Sequence, residues 1–439
     1  VVKGTIMVRA ASPKPIDLPM APRVVIVDPG LCSNSGHHAE LNRQLLAAGR
    51  AAGLAIECWV DQAFKAEDPA YRPAFHGCGY EDPRHWLDLP GSLHLAGRLQ
   101  QQMRDHLSGE VHCWIAHSLL PFQLISLARL LQHLPGARVE VGILYAPGER
   151  LGGSTDPSAA SPGQQREREL AIANARVAWS GLARATALAN HRLRVGCSSR
   201  LQAALHAPLL TAAGLGPAEQ QPAVVGAGWH PATASGPRQA LEGDQPPRVL
   251  LHWGDLKAGK GRDQVMALLQ ALLEDGRPQL RARSWLFHHH SAATLSGAEQ
   301  NLLERAVQQL PGFELWQADT SSESMLAALA GTHVALLPYC PTAYGERSSG
   351  VLWCYAAARL AVGRPARAVG YARGWLAEEA PALGVGWVGL PSGNQPATAW
   401  LDALDQALAI EEPAVTAYGH QVLGQSYGEW LLAGLNSSP

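Results

Sequence analysis

The feature that most limits what this chain can fold into is a unit that keeps returning. A short β-branched, apolar run meets a turn rich in glycine or polar residues, and a helical stripe follows. RVVIV (23–27) passes through Asp28-Pro29-Gly30 and LCSNSGHH to a helix over 38–52, with Leu41, Leu45, Ala48 and Ala52 on one face; LAIECWV (54–60) comes next. VHCWIA (111–116), VEVGILY (139–145) and RLRVG (192–196) continue the series, and AVVGAG (223–228) closes it. RVLLHWG (248–254), SWLFHHH (284–290), FELWQ (313–317), HVALL (333–337) and VGWVG (385–389) start it again. Strands that alternate with helices make an α/β fold with parallel sheets. Between the two series lies WHPATASGPRQALEGDQPP (229–247), a polar run with four prolines, which marks a domain boundary. The expected division is an arm over 1–21, a first domain over 22–228, the linker 229–247, a second domain over 248–410 and a helical tail over 411–439.

Composition narrows the function classes. A chain of 439 residues has room for two or three domains at roughly 150 residues each. The net charge of −2 argues against a nucleic-acid partner held by bulk charge. Seven scattered cysteines form no C-x-x-C, which speaks against structural zinc or a disulfide framework and fits a reducing, cytoplasmic setting. No apolar run nears the roughly 20 residues that span a bilayer, which leaves only contact with the inner face of a membrane.

Two turns in the second series have the chemistry of phosphate sites. HVALL ends at Pro338 and opens a loop with Tyr339, Tyr344, Glu346, Arg347, Ser348 and Ser349, and Gly350 starts a helix. Ligands of parallel sheets bind where strands end and helices begin, and backbone N–H groups there favour phosphate. An arginine beside such a turn can grip phosphate with two parallel bonds. Gly254-Asp255-Leu256-Lys257-Ala258-Gly259-Lys260-Gly261 is a glycine-rich turn with two lysines ahead of a helix over 263–274, a natural diphosphate cradle. It lacks the Lys-Ser/Thr pair of a Walker A loop, and no G-x-G-x-x-G occurs after the first strand. His288, His289 and His290 alternate across a strand, so at most two share a face, and cleft lining suits His289 better than metal binding. Thr320-x-x-Glu323 reads as a capping box for a helix over 322–331.

The first series offers fewer signals. Gly36 would let backbone approach a ligand, and His37 and His38 either start a helix or touch that ligand. His117, at the end of VHCWIA, either caps the strand or meets the substrate as a base or hydrogen-bond partner. Residues 61–91, with Phe64, Tyr71, Phe75, Tyr80, His85 and Trp86, read as a surface insertion or an aromatic acceptor lip. The Gly-, Ser- and Pro-rich stretch 147–166 reads as a long loop with Glu149 and Arg150 at its base. Gly370 to Gly374 forms a further turn, with Tyr371 facing the cleft.

LLPY…Y-x-x-R-S-S-G-V-L resembles the donor loop of GT-B glycosyltransferases, and more closely that of bacterial family 1 and family 4 type enzymes with Y-x-x-R-[ST]-S-G. The 254–261 turn is similar to their G-D-x-x-x-x-K-G element, and the opening DPGL resembles theirs. The resemblance runs from about residue 22 and implies two Rossmann-like domains facing across a cleft. It implies transfer of a sugar from a nucleotide-sugar donor to a carbohydrate or glycoside hydroxyl, with no metal and no other cofactor. It assigns the donor diphosphate to Lys260, Arg347, Ser348, Ser349, Gly350 and Tyr344, and puts His117 and Glu346 at the reacting carbon. Gly36, His37, Gly254, His289 and Tyr371 would line the cleft. The enzymes with a Glu-x7-Glu pair carry a second glutamate where this chain has Cys354, which cannot accept strong hydrogen bonds. Two rival readings stay open: a nucleotide-sugar epimerase, and a GT-B protein that binds without catalysis.

Overall fold

The computed structural model describes residues 21–33, 36–77, 87–148, 161–225, 246–274, 277–290, 294–317, 320–411 and 413–436. The first half runs β1 (Arg23–Asp28), α1 (Gly36–Ala51), β2 (Ala55–Asp61), β3 (Tyr71–Phe75), α2 (Leu89–His106), β4 (Cys113–His117), α3 (Pro121–Leu131), β5 (Arg138–Ile143), α4 (Pro162–Leu188), β6 (Arg192–Cys197), α5 (Arg200–Ala212) and β7 (Glu219–Gln220). The second half runs β8 (Arg248–His252), a 3-10 turn (Ala258–Lys260), α6 (Arg262–Glu274), α7 (Pro278–Arg281), β9 (Ser284–His289), α8 (Gly297–Gln309), β10 (Phe313–Gln317), α9 (Ser322–Ala330) and β11 (Val334–Leu337). It continues with α10 (Gly350–Ala361), β12 (Arg367–Tyr371), α11 (Trp375–Leu383), β13 (Gly386–Leu390), α12 (Ala397–Ala409), α13 (Ala417–Leu423) and α14 (Tyr427–Asn436).

The strands form two sheets, ordered β3-β2-β1-β4-β5-β6-β7 and β10-β9-β8-β11-β12-β13. Every pairing is parallel. Such strands are buried on both faces, which explains why they read as unbroken apolar runs rather than alternating ones. Val24, Val25 and Ile26 are no more than 1% exposed, and Val334, Ala335 and Leu336 likewise. Strand order reverses between β1 and β4 in one sheet and between β8 and β11 in the other. Doubly wound sheets leave their ligand crevice at these reversal points.

Helices cover both faces of each sheet. α3 and α4 bury Leu127, Leu131, Ala178 and Leu182 over β4 and β5, while α1 and α14 close the other side with Leu41, Leu45, Tyr427 and Leu431. α14 therefore packs with the first sheet although it ends the chain, and the Arg194 guanidinium lies 3.6 Å from the centre of the Trp430 ring. Among the described residues, no helix is long and apolar enough to cross a membrane.

Three local expectations change. Residues 61–91 contain an edge strand: β3 pairs with β2, Phe75 is fully buried, and Phe64 packs on Tyr71 at 5.0 Å. These three aromatics serve the core edge, while Tyr80, His85 and Trp86 lie outside the described residues. The end of the 147–166 stretch is helical, because Ser161 and Gln164 form a capping box at the start of α4; Glu149 and Arg150 fall outside the described residues. α9 is capped by Ser321, whose hydroxyl accepts from the Ser324 N–H, and Thr320 lies 2.9 Å from His288 Nε2 instead.

Candidate functional site

Each reversal point gathers polar side chains. At the first, Asp28 ends β1 and His117 ends β4, both fully buried. The Asp28 carboxylate can only accept hydrogen bonds, and that fixes every proton around it. His38 Nδ1 lies 2.8 Å from Asp28 Oδ1, so Nδ1 carries a hydrogen that it donates to the carboxylate. Asn42 Nδ2 donates to Asp28 Oδ2 at 2.6 Å, so its Oδ1 accepts from His117 Nε2–H at 2.8 Å. His117 Nδ1 then accepts from the Ser118 hydroxyl at 3.1 Å. Burial pushes His117 down to about 4, against the opposing pull of Asp28, so the ring is neutral at pH 7. Burial alone would raise Asp28. The charge that His38 and His117 take up once protonated, and hydrogen bonds from His38 and Asn42, outweigh it and hold the carboxyl well below its usual range. Ser118 is left-handed at φ 56°, a strain of order 1 kcal/mol beside the network.

His38 Nε2 points towards the Tyr145 hydroxyl at 3.4 Å, and His37 Nε2 lies 3.3 Å from the same oxygen. Asp28, His38 and His117 are, among the described residues, the group whose ligand atoms lie within 4.8 Å of one another, as a metal site needs. The 2.8 Å between His38 Nδ1 and Asp28 Oδ1 is a hydrogen-bond distance. Two ligands of a tetrahedral zinc stand about 3.3 Å apart. The arrangement thus fits proton handling better than metal binding. His38 and Asn42, one helical turn apart on α1, face the same carboxylate.

At the second reversal point the two glycine- and serine-rich turns interlock. The Gly259 carbonyl accepts from Cys340 N at 2.9 Å. Gly261 is left-handed at φ 76°, and a Cβ there would sit 2.0 Å from the Pro338 carbonyl oxygen. Only glycine lets the turn lie against the end of β11. Gly261→Ala is expected to cost about 3 kcal/mol, combining left-handed strain with overpacking. A chemical-denaturation midpoint equal to the parent's would show that the turn relaxes freely. Gly254, also left-handed at φ 92°, faces Lys260, whose ammonium donates to the Trp253 carbonyl at 3.3 Å. Enclosure in the turn pushes Lys260 down to about 8; Asp255 opposes this and Lys257 adds to it.

Tyr344 stacks near Tyr339, with ring centres 4.7 Å apart, and the Arg347 guanidinium lies 5.7 Å from the centre of the Tyr344 ring. Ser348 is half-buried in this loop. Ser349 caps α10 by accepting from the Leu352 N–H, and Gly350 is the first helical residue. Cys354 is buried on the next turn. The structure thus brings Lys260, Tyr344, Arg347, Ser348, Ser349 and Gly350 into one neighbourhood.

The remaining candidates disperse. Gly36 opens α1 with open space where a side chain would be, next to His37. His289 pairs with Thr294 at 3.1 Å, and His288 Nδ1 accepts from Gly254 N at 3.2 Å, so the triplet serves separate partners. Tyr371 packs edge-on against Trp400, with ring centres 5.3 Å apart, in the core under α12. Glu346 is bound across the cleft: Arg168 of α4 grips both carboxylate oxygens at 2.6 and 2.8 Å. The Ser322 hydroxyl also crosses, donating to Glu40 at 2.6 Å, and Trp375 Nε1 donates to the Ser199 hydroxyl at 2.7 Å.

Asp28, Asn42, Tyr145 and Arg168 were not among the sequence candidates. The one available signal was a carboxylate closing an apolar strand, with His38 and Asn42 a helical turn apart just beyond it.

The sequence matches no protein-family model and no curated protein. Solved structures do match. A UDP-forming α,α-trehalose-phosphate synthase from Burkholderia xenovorans is 11% identical with a TM-score of 0.57, over 95% of this chain and 99% of that one. The trehalose-6-phosphate protein from E. coli bound with UDP-2-fluoro glucose is 15% identical with a TM-score of 0.53, over 95% and 99%. An α,α-trehalose 6-phosphate synthase from Burkholderia multivorans is 12% identical with a TM-score of 0.55, over 95% and 97%. At these identities the likeness shows the fold, which is GT-B: two parallel-sheet domains facing across a cleft.

Proposed function

Taking the GT-B fold as the premise, we propose that this chain transfers a sugar from a nucleotide-sugar donor to an acceptor hydroxyl. One observation carries the reading. A turn pair holding Lys260 and Arg347 sits at one sheet's reversal point, and a carboxylate-held histidine sits at the other. Lys260 and Arg347 meet the diphosphate, with the N–H groups that open α10. Tyr344 and Ser348 orient it. A uridine donor is the first to try, because one GT-B neighbour is described as bound with UDP-2-fluoro glucose.

His38 is the base in this reading. The acceptor O–H gives its proton to His38 Nε2, and its oxygen bonds the anomeric carbon as the bond to the diphosphate oxygen breaks. The nucleoside diphosphate leaves with the bonding pair, its charge met by the two basic side chains. The product is inverted at that carbon. Asp28 holds the ring in the accepting tautomer and stabilises the imidazolium that forms. His117, whose two nitrogens are taken by Asn42 and Ser118, positions the network. Glu346 reaches the sugar hydroxyls once Arg168 releases it.

The first test is a thermal-shift screen with UDP, GDP, ADP, CMP and dTDP sugars, since a ligand of the native state raises the melting temperature. One base class should stabilise the parent and neither Lys260→Ala nor Arg347→Ala. UDP release from UDP-glucose, with water standing in as acceptor, should then fall about 10²- to 10⁴-fold in Asp28→Asn, the range of general-base catalysis. Unchanged release in that variant rules out the base. A parent that binds donor but never cleaves it supports the non-catalytic reading, which Cys354 favours by leaving the second glutamate position without a carboxylate.

A further inference from the structure

An apolar cavity of about 60 Å³ lies between α3 and α4, next to the Asp28–His38 network. Leu124, Ala175, Ala178, Trp179, His206 and Tyr145 line it. Trp179 and His206 in these walls are bonded to their neighbours. Trp179 Nε1–H donates to His206 Nδ1 at 3.1 Å, and His206 Nε2–H donates to the Tyr145 carbonyl at 2.9 Å. Burial pushes His206 down to about 4, so the ring stays neutral and the cavity has no charge in its wall. Water needs two to four polar partners to stay in such a space, and an apolar group does not. Tyr145 links the cavity to the reacting groups, because it is one of the lining residues and its hydroxyl lies 3.4 Å from His38 Nε2.

We propose that this cavity receives the apolar part of the acceptor, which is therefore an alcohol or glycoside with a short hydrocarbon group beside its reacting hydroxyl. The inference rests on the glycosyl-transfer reading, and it separates this chain from an enzyme whose acceptor is a sugar phosphate. With its hydroxyl at Tyr145 and His38, the acceptor directs its hydrocarbon inwards between Leu124 and Ala175. A cavity of about 150 Å³ holds benzene, so one of this size takes about two or three carbons.

The test uses straight-chain primary alcohols from methanol to hexanol, titrated by ligand-observed NMR against the full chain saturated with UDP. Affinity should rise about fourfold per carbon while the cavity fills, and level off after about three carbons. Ala175→Leu fills the space and should abolish that rise. Leu124→Ala enlarges it and should move the plateau to longer chains, which keeps the test valid if Ala175→Leu does not fold. A flat series in the parent, or an unchanged rise and plateau in the variants, overturns the assignment. The UDP titration that precedes the series is independent of the cavity. UDP binding followed by a flat series removes only the cavity assignment. If neither UDP nor any other nucleotide binds, the glycosyl-transfer reading fails, and the cavity assignment fails with it.

Discussion

Replacing Lys260 with alanine should weaken nucleoside diphosphate binding by roughly two to three powers of ten. The ammonium lies inside the 254–261 turn at the reversal point, where Gly254 gives it room. Removing one partner of a desolvated charge pair costs about 2–5 kcal/mol. The same group gives the binding its pH dependence. Enclosure lowers Lys260 to about 8 in the unliganded protein, and under the proposed function the cation is the form that would bind the diphosphate. Affinity is therefore full below pH 8 and falls about tenfold per unit above it. Lys260→Arg keeps its charge at every accessible pH and should lose this slope. Calorimetric titration with UDP from pH 7 to 9.5 measures it, and a flat parent profile would assign the diphosphate to another cation.

The second large effect concerns stability. Glu379 of α11 is buried where α10, α13 and the first domain meet. Its Oε1 accepts from Trp353 Nε1 at 3.2 Å and lies 2.9 Å from the Tyr418 hydroxyl, which also lies 3.0 Å from the Ser198 carbonyl. One hydroxyl proton cannot serve both acceptors. A protonated Glu379 resolves the conflict by donating to Tyr418 while Tyr418 donates to Ser198. Burial pushes Glu379 up to about 7, and the bonds from Trp353 and Tyr418 offset only part of that. The folded state therefore holds the proton more tightly than the unfolded chain, where the carboxyl titrates near 4.5. Stability from this group is greatest below pH 4.5, declines between 4.5 and 7, and is level above that. The total is about 3 kcal/mol. Glu379→Gln keeps the acceptor oxygen and cannot ionise. Its melting temperature should match the parent's near pH 4.5 and exceed it by several degrees at pH 8. Parallel melting curves across that range would show that Glu379 is ionised in the fold at no cost.

Much of this protein could be read from local sequence. Parallel strands are continuous apolar runs, and helices carry a stripe at i, i+3 and i+4, so RVVIV, RVLLHWG and the helix at 263–274 declare themselves within a few residues. The loop between β11 and α10 belongs to the same class. Its proline, serines and glycine set a strand end and a helix start, and Lys260 and Arg347 lie inside those turns. β3 escaped because an edge strand buries only part of itself: Tyr71 is half-buried and Arg72 and Pro73 are exposed while Ala74 and Phe75 enter the core, and no period survives.

What depends on strand order could not be read in this way. Asp28 meets His117 because β4 pairs beside β1, across almost ninety positions of chain, and the same neighbourhood decides that Asn42 joins them. Arg168 reaches Glu346 only because α4 of one domain lies against the β11–α10 loop of the other. Neither contact leaves a spacing to count. The sequence determined the α/β units, because those follow from backbone preferences over a few residues. The tertiary structure decided which histidine pairs with Asp28 through Nδ1, which one is enclosed by Asn42 and Ser118, and where Glu346 rests. Those outcomes depend on whose side chain supplies the neighbouring proton or charge.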